Sequence, residues 1–375
     1  MGISRLPPGG ALVRERGRPC FAPSVSRGIA ILRWVLSILL VVLGLGLFAG
    51  LIYLSGPGLV LKELVAVGWL GFLLVVGNVV LSFFAWSLSW FVLLHAAGVR
   101  VRWLHVLSPL LAASSVTYLT PSAYLGGEPV RVYWIAKATG APLSTVTATV
   151  MVERLLAGIS LLAFASMGGF FALFSPAISL ADKGAVALGL GLMAVFLSLG
   201  VFSFARNCKW LSRFLRALSR VFRWRGVLAR LAQGASDMEN QIYRVFADRF
   251  GHAALALLLQ LVMVFLNYIR PQLFFYFTKQ ALFTFAQLSL FFTLNVFVNS
   301  LLWITPGGLG LTDGGRAGIF QLLGIPISSA VAYNVLFRFA ELIQVGWGLS
   351  LLFRQGLLRW AKGRLEVKIE GKTKS

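Results

Sequence analysis

Two acid–arginine pairs interrupt otherwise apolar sequence. In "TPSAYLGGEPVRVY" (residues 120–133) Glu128 precedes Arg131 by three positions; in "TPGGLGLTDGGRAG" (305–318) Asp313 precedes Arg316 by three. Groups three apart share a helical face and can pair with each other. They can also act outward. A guanidinium holds a phosphate through charge-assisted, bidentate hydrogen bonds, and a carboxylate can receive an amine. Each pair follows residues that break a helix: Thr120, Pro121, Gly126 and Gly127 in the first stretch, Thr305, Pro306, Gly307, Gly308 and Gly310 in the second. Proline and glycine permit such a break. Two further charged pairs lie beyond, Glu153 with Arg154 and Arg338 with Glu341.

The setting makes these charges expensive. The chain has 375 residues, of which 58% are hydrophobic and 12% charged, against about 25% charged in soluble domains. Uncharged runs cover 34–61, 64–94, 155–181, 184–205 and 280–312. Each reaches the roughly 20 residues that cross a bilayer, so the chain reads as an all-α polytopic membrane protein. A charge at mid-membrane costs about 2.5–3.5 kcal/mol. Several gathered near two breaks favour a functional cluster over decoration. Structural roles compete with that reading. Glu128 and Asp313 fit helix N-termini, Arg131 and Arg316 fit pairing with those acids, and Arg338 fits pairing with Glu341. Asn267, Asn295, Asn299 and Asn334 read as interhelical hydrogen bonds. His95, His105 and His252 have no metal-binding spacing, and Cys20 and Cys208 read as reduced thiols. No metal or cofactor is expected. "GLGLTDGG" lacks the Lys-Ser/Thr of a nucleotide-binding loop.

Most of the net charge of +22 lies in blocks flanking the apolar runs: six Arg and one Glu in 1–33, ten Lys/Arg and three acids in 206–250, seven Lys/Arg and two acids in 354–375. That is the positive-inside pattern. It predicts a protein of the cytoplasmic (cell) membrane with both termini cytoplasmic, and it argues against nucleic acid as a partner. In "KWLSRFLRALSRVFRWR", Leu211, Phe214, Leu215, Leu218 and Phe222 share one helical face opposite Arg213, Arg216, Arg220 and Arg223. Such a helix fits the surface of an anionic inner leaflet or a protein partner of unknown kind. The first apolar run is too long for a signal-peptide core and reads as a retained span.

The elements positioning the charged pairs follow from parity. If 1–33 is cytoplasmic, the spans near 34–54 and 64–94 return the chain inside. The span 185–205 must end at the basic block 206–250, so 145–174 runs outward and residues 104 and 144 lie on one side. Segment 104–143 is therefore a re-entrant hairpin. By the same count 252–277 runs outward, with Arg270-Pro271 as a kink, and the last span, about 329–353, runs inward to its basic tail. Segment 284–327 becomes a second hairpin. Irregular backbone at these tips must be buried in protein or line a wet cavity. The expected organisation is a basic segment 1–33, a first membrane repeat 34–174 with hairpin 104–143, a second repeat 185–353 with hairpin 284–327 interrupted by the amphipathic insertion 206–250, and a basic tail 354–375.

The two tips align. Thr120-Pro121 matches Thr305-Pro306; acid and Arg follow at equal spacing; "TGAPLST" (139–145) matches "LGIPISS" (323–329); Arg154 and Arg338 lie ten residues beyond Ser144 and Ser328. Gly140 and Gly324 read as helix stops, Ser144 and Ser328 as caps of the long helices that follow. Arg154 and Arg338 then fall roughly 15 Å into the membrane. Opposed hairpins in similar halves predict an inverted repeat, an architecture of many transporters.

The segments "GGEPVRVYWIAKATGAPLSTVTATVMVERLL" and "TPGGLGLTDGGRAGIFQLLGIPISSAVAYNVLFR" resemble the two hallmark regions of the lysylphosphatidylglycerol synthase transmembrane-region family, which includes the flippase domain of the multiple peptide resistance factor. The resemblance covers about 30–353 and is most specific in Gly-Gly-Glu-Pro-x-Arg, "VERLL" and Pro-Gly-Gly-x-Gly. At the second motif Thr-Asp replaces the more usual Arg-Glu. The resemblance implies translocation of polar-headgroup lipids, phospholipid or polyprenyl-linked. The soluble aminoacyl-transferase domain is lacking, so lysylphosphatidylglycerol is not implied as substrate. The expectation is a non-enzymatic lipid translocator in which Glu128, Arg131, Glu153, Arg154, Asp313, Arg316, Arg338 and Glu341 line a central headgroup site. A lipid-modifying transferase and an accessory scaffold of envelope lipid assembly are the alternatives.

Overall fold

The computed structural model describes residues 24–120, 126–176, 178–206, 208–221, 225–279 and 282–372. Cys20, Pro121, Phe222 and Arg223 lie outside the described residues. Two compact units are distinguished, 1–39 and 40–375, and all charged pairs named above lie in the second. The described residues form fourteen α-helices and a 3-10 turn: α1 (Ser24–Leu54), α2 (Pro57–Ala66), α3 (Gly68–Ala96), α4 (Leu104–Leu119), α5 (Glu128–Thr139), α6 (Leu143–Phe174), α7 (Leu180–Ala205), α8 (Trp210–Val221), α9 (Arg225–Asp248), α10 (Phe250–Tyr268), α11 (Arg270–Lys279), α12 (Phe285–Leu302), the turn Pro306–Gly308, α13 (Leu311–Leu322) and α14 (Ile327–Lys372).

Among the described residues, six helices or continuous helical stretches are long and apolar enough to cross a bilayer: Gly68–Ala96, Leu143–Phe174, Leu180–Phe204, Phe250–Thr278, Phe285–Leu302 and Ile327–Arg354. A seventh candidate is the pair Leu39–Leu54 and Pro57–Ala66, bent by 86° at Gly56 and Pro57. The protein is all-α, polytopic and membrane-spanning. Five of these stretches fall where the sequence places spans, near 64–94, 145–174, 185–205, 252–277 and 329–353, with two differences. The second run is divided: α2 is a separate short helix, and the long span starts at Gly68, whose φ of 65° only glycine adopts cheaply. The final span continues as one helix through the basic tail to Lys372.

Each segment read as a hairpin holds two helices that contact each other, α4 with α5 and α12 with α13. Their second arms, α5 and α13, have 12 residues each; their first arms, α4 and α12, have 16 and 18. With 18 residues α12 reaches spanning length by itself, whereas α4 does not. The long-range packing is reciprocal. First-half α4 lies against α14 of the second half, second-half α12 lies against α6 of the first, and α3 packs along α10. Hydroxyls tie both crossings: Ser115 donates to the Val345 carbonyl (3.0 Å) and Thr293 to that of Ala165 (2.7 Å). The second half is filled by an aromatic cluster, with Phe320 4.4 Å from Phe291 and 5.1 Å from both Phe275 and Tyr333, centroid to centroid. The first is filled by Trp90, Leu94, Val106, Leu110, Ile135 and Val146.

The insertion folds as two helices. α8 packs on α9, and α9 packs on α6, α7 and α10. The Glu239 carboxylate accepts from the backbone N–H of Leu211 (2.9 Å), anchoring the start of α8. Leu211, Leu215 and Leu218 are half-buried, while Trp210 and Phe214 stay exposed. Part of the face expected to meet lipid therefore meets protein.

Candidate functional site

The first charge cluster is a chain of alternating signs. Glu128 opens α5 and accepts from Arg131 Nε at 2.5 Å on one oxygen and from Arg154 of α6 on the other. Arg131 Nη2 lies 2.6 Å from Glu153 Oε2, a close ion pair without hydrogen-bond alignment. The other Glu153 oxygen accepts from Trp86 Nε1 (2.8 Å) and Gln260 Nε2 (3.3 Å). Trp90, fixed by its N–H to Thr149 at 3.0 Å, carries the Arg131 guanidinium 4.7 Å from its ring centroid, a cation–π contact. Arg131 and Glu153 are completely buried, whereas the Arg154 side chain keeps 35% of its surface. Arg154 is thus the only one of the four with substantial open surface.

The helix break permits this because Gly127 has no side chain. A Cβ there would strike the Ala113 carbonyl of α4, and the Gly127 N–H donates to Thr117 Oγ1 at 2.9 Å. Gly127→Ala is expected to cost about 1–3 kcal/mol through overpacking against immovable backbone. Thermal unfolding of the detergent-solubilised protein checks this; an unchanged melting temperature would show that the turn relaxes. Glu128 is the first residue of α5, and no side chain caps that helix, so capping does not account for it.

The second cluster is centred on Arg338 of α14. Its Nε donates to Asp313 (3.1 Å), its Nη2 to Asp313 (3.1 Å) and Thr312 (2.9 Å), and its Nη1 to Tyr118 (3.1 Å), Glu341 (3.0 Å) and the Gly307 carbonyl (2.5 Å). Gly307 offers that carbonyl with φ 61°, a glycine conformation, and a Cβ there would enter the Tyr118 ring. Asp313, fully buried, also accepts from the Gly310 N–H at 3.0 Å. Here the capping role is real and coexists with the ion pair. Arg316 stands apart: Asp313 is 3.7 Å away, and its donors go to Asn295 (3.0 Å) and Asn299 (3.2 Å) of α12.

Both clusters border one cavity of about 560 Å³ between α6, α10, α12, α13 and α14. Three of the eight residues expected at a headgroup site line it: Arg154, Arg316 and Glu341. Glu128, Arg131, Glu153, Asp313 and Arg338 are not in its wall and instead hold the wall's elements together. The cavity also exposes Asn267, Asn295 and Asn299 beside apolar residues including Leu161, Val264, Phe291 and Phe292. It brings in Arg270, which the sequence reading treated only as part of a kink. Arg270 begins α11 where the helix breaks after Tyr268, and donates to Asn78 (3.1 Å) and Ser82 (2.8 Å). The missed signal was a lone arginine inside a 29-residue apolar stretch. The asparagines do more than bridge helices, since Asn295 and Asn299 aim Arg316 along the cavity wall.

Other local expectations hold unevenly. Gly140 and Gly324 adopt left-handed φ of 71° and 80° after α5 and α13. Ser144 is not a cap: α6 starts at Leu143 behind Pro142, with no side-chain cap. Ser328 likewise falls inside α14. Proline supplies the non-helical entry in their place, having no N–H to strand.

Residues 36–348 match the family described as the lysylphosphatidylglycerol synthase TM region. A UPF0104 membrane protein of Pyrococcus horikoshii is 25% identical across 80% of this chain and 91% of its own length. A UPF0104 membrane protein of Methanothermobacter thermautotrophicus is 31% identical over 116 residues, 31% of this chain and 34% of that relative. No solved structure matches. The matched region runs from the first span to the last and contains both charge clusters and every residue of the cavity wall. The chain belongs to the lysylphosphatidylglycerol synthase transmembrane-region family.

Proposed function

We propose that this protein is a lipid translocator that carries a polar headgroup through its central cavity, in the cell membrane, without altering the lipid. One observation carries the reading: a cavity within the helix bundle has arginines and asparagines on one part of its wall and aromatic and aliphatic side chains on another. A headgroup with a phosphate matches the polar part, and the start of an acyl or prenyl chain matches the apolar part. Family membership supports lipid as the cargo. The reciprocal packing of α4 on α14 and α12 on α6 supports two halves that exchange roles, opening the cavity to either side as an inverted repeat does. The basic blocks support cytoplasmic termini, with α8 and α9 at the inner-leaflet surface.

The test uses purified protein in liposomes carrying fluorescent phospholipids, with an outer-leaflet quencher reporting transbilayer movement. Wild-type protein is expected to accelerate movement. Arg316→Gln is expected to reduce it at least about tenfold, the equivalent of about 1.4 kcal/mol, with little change in melting temperature because Asp313 keeps Arg338. Unaccelerated movement in wild type refutes the proposal, and chemically altered lipid in the mass spectrum favours a transferase.

A further inference from the structure

Among the described residues, the two clusters and the cavity wall hold five arginines (Arg131, Arg154, Arg270, Arg316 and Arg338) and four carboxylates (Glu128, Glu153, Asp313 and Glu341). Four of the arginines pair with a carboxylate. Arg270 does not: its hydrogen bonds go to the amide oxygen of Asn78 and the hydroxyl of Ser82, both neutral. The count leaves one positive charge in excess, and Arg270, with only the longer-range attraction of Glu341 and the Phe337 ring 5.7 Å away, carries it on the cavity wall. Arg316, the next guanidinium on that wall, is held mainly by Asn295 and Asn299, with its acid at 3.7 Å. Three of the four carboxylates are committed. Asp313 receives Arg338 and Gly310, Glu128 receives two arginines, and Glu153 receives an arginine and two neutral donors. Glu341, the one carboxylate in the cavity wall, accepts from Arg338 at 3.0 Å.

We infer that Arg270, with Arg316, forms a phosphate clamp that selects lipids whose headgroup is net negative. This rests on the translocator reading and names its substrate class. A buried unpaired cation is costly, and a singly charged phosphodiester removes that cost. An ammonium group brought in with the phosphate meets only Glu341, whose charge is already shared with Arg338 through Oε2, and restores the excess positive charge that the phosphate had removed. Zwitterionic and aminoacylated headgroups are thus rejected by charge. The selection lies in the neutral partners of Arg270: were Asn78 an aspartate, the clamp would be satisfied empty.

The experiment measures lipid retention by the full chain in detergent, using native mass spectrometry with phosphatidylglycerol, phosphatidylethanolamine and lysyl-phosphatidylglycerol of equal chain length. Soluble glycerol phosphate serves as a further ligand. Phosphatidylglycerol is expected to bind at least about tenfold more tightly than either amine-bearing lipid, a difference of about 1.4 kcal/mol. Arg270→Gln is expected to shrink that ratio to within about threefold, and Arg270→Lys to retain it. Equal binding of the three lipids by wild type, or an unchanged ratio in Arg270→Gln, overturns the inference. The wild-type ranking decides it even if Arg270→Gln does not accumulate. Glycerol phosphate binding as tightly as the lipid would make a free phosphate ester the ligand and overturn the lipid assignment. Selective lipid binding without movement in liposomes leaves the clamp standing and removes translocation.

Discussion

The Arg338→Met variant is expected to lose about 3–5 kcal/mol of stability, the usual consequence of removing one partner from a buried ion pair. Methionine fills a similar volume, so the loss isolates the charge and its donors. Arg338 is 3% exposed and joins four parts of the fold: Tyr118 at the end of α4, Gly307 in the turn, Thr312 and Asp313 in α13, and Glu341 in its own helix. Its removal leaves Asp313 fully buried with the Gly310 N–H and a guanidinium 3.7 Å away. Each buried acceptor without a donor costs a further 1–3 kcal/mol, roughly, where water cannot reach it. The melting temperature of the solubilised protein is expected to fall by about 6–10 °C at roughly 2 °C per kcal/mol for a chain of this size. A fall of less than about 2 °C would show that Glu341 and Tyr118 do not depend on this arginine. Arg316→Met provides the contrast, because it removes a cavity group and leaves the Arg338–Asp313 pair intact. It should impair lipid movement far more than stability.

That contrast was not legible in the sequence. The composition, the uncharged runs and the Thr-Pro, glycine, acid and arginine spacing placed the spans, both breaks and all eight charged candidates, because bilayer length and helix-breaking chemistry act locally. What local spacing could not supply was which side of a helix each charge faces. Glu128 and Asp313 occupy equivalent positions, yet only Asp313 caps its helix; the difference is the Gly310 N–H, delivered by a turn whose geometry depends on Tyr118 from another helix. Arg154 and Arg338 also align, yet one lines the cavity and the other is buried behind it. Arg338 is buried because α4 packs on α14; the corresponding contact of α12 with α6 leaves Arg154 open. Arg270 escaped for a related reason. Its neutral partners lie about 190 residues away in α3, so the sequence offered only a charge beside a proline.

The first cluster invites a prediction in which two substitutions do less harm than one. Glu153→Leu is expected to cost about 3–5 kcal/mol, comparable to Arg338→Met. It leaves Glu128 as the single carboxylate for both Arg131 and Arg154, and it strands the Trp86 and Gln260 donors. Adding Arg131→Met removes the excess cation. The remaining Arg154–Glu128 pair is neutral, and methionine can lie against the Trp90 face that held the guanidinium. The double variant is therefore expected within about 1–2 kcal/mol of the parent, giving a favourable coupling of at least about 2 kcal/mol in a double-mutant cycle of thermal unfolding. Additive losses would refute the alternating chain as the source of stability and move the weight to the neutral donors. The same double variant separates support from binding. Arg131 and Glu153 are outside the cavity wall, while Arg154, Arg270 and Arg316 remain in it. Lipid movement should thus stay within about threefold of wild type, a difference of about 0.6 kcal/mol. Restored stability without movement would place Arg131 in direct contact with the headgroup at some stage of the cycle, and would return it from the scaffold to the site.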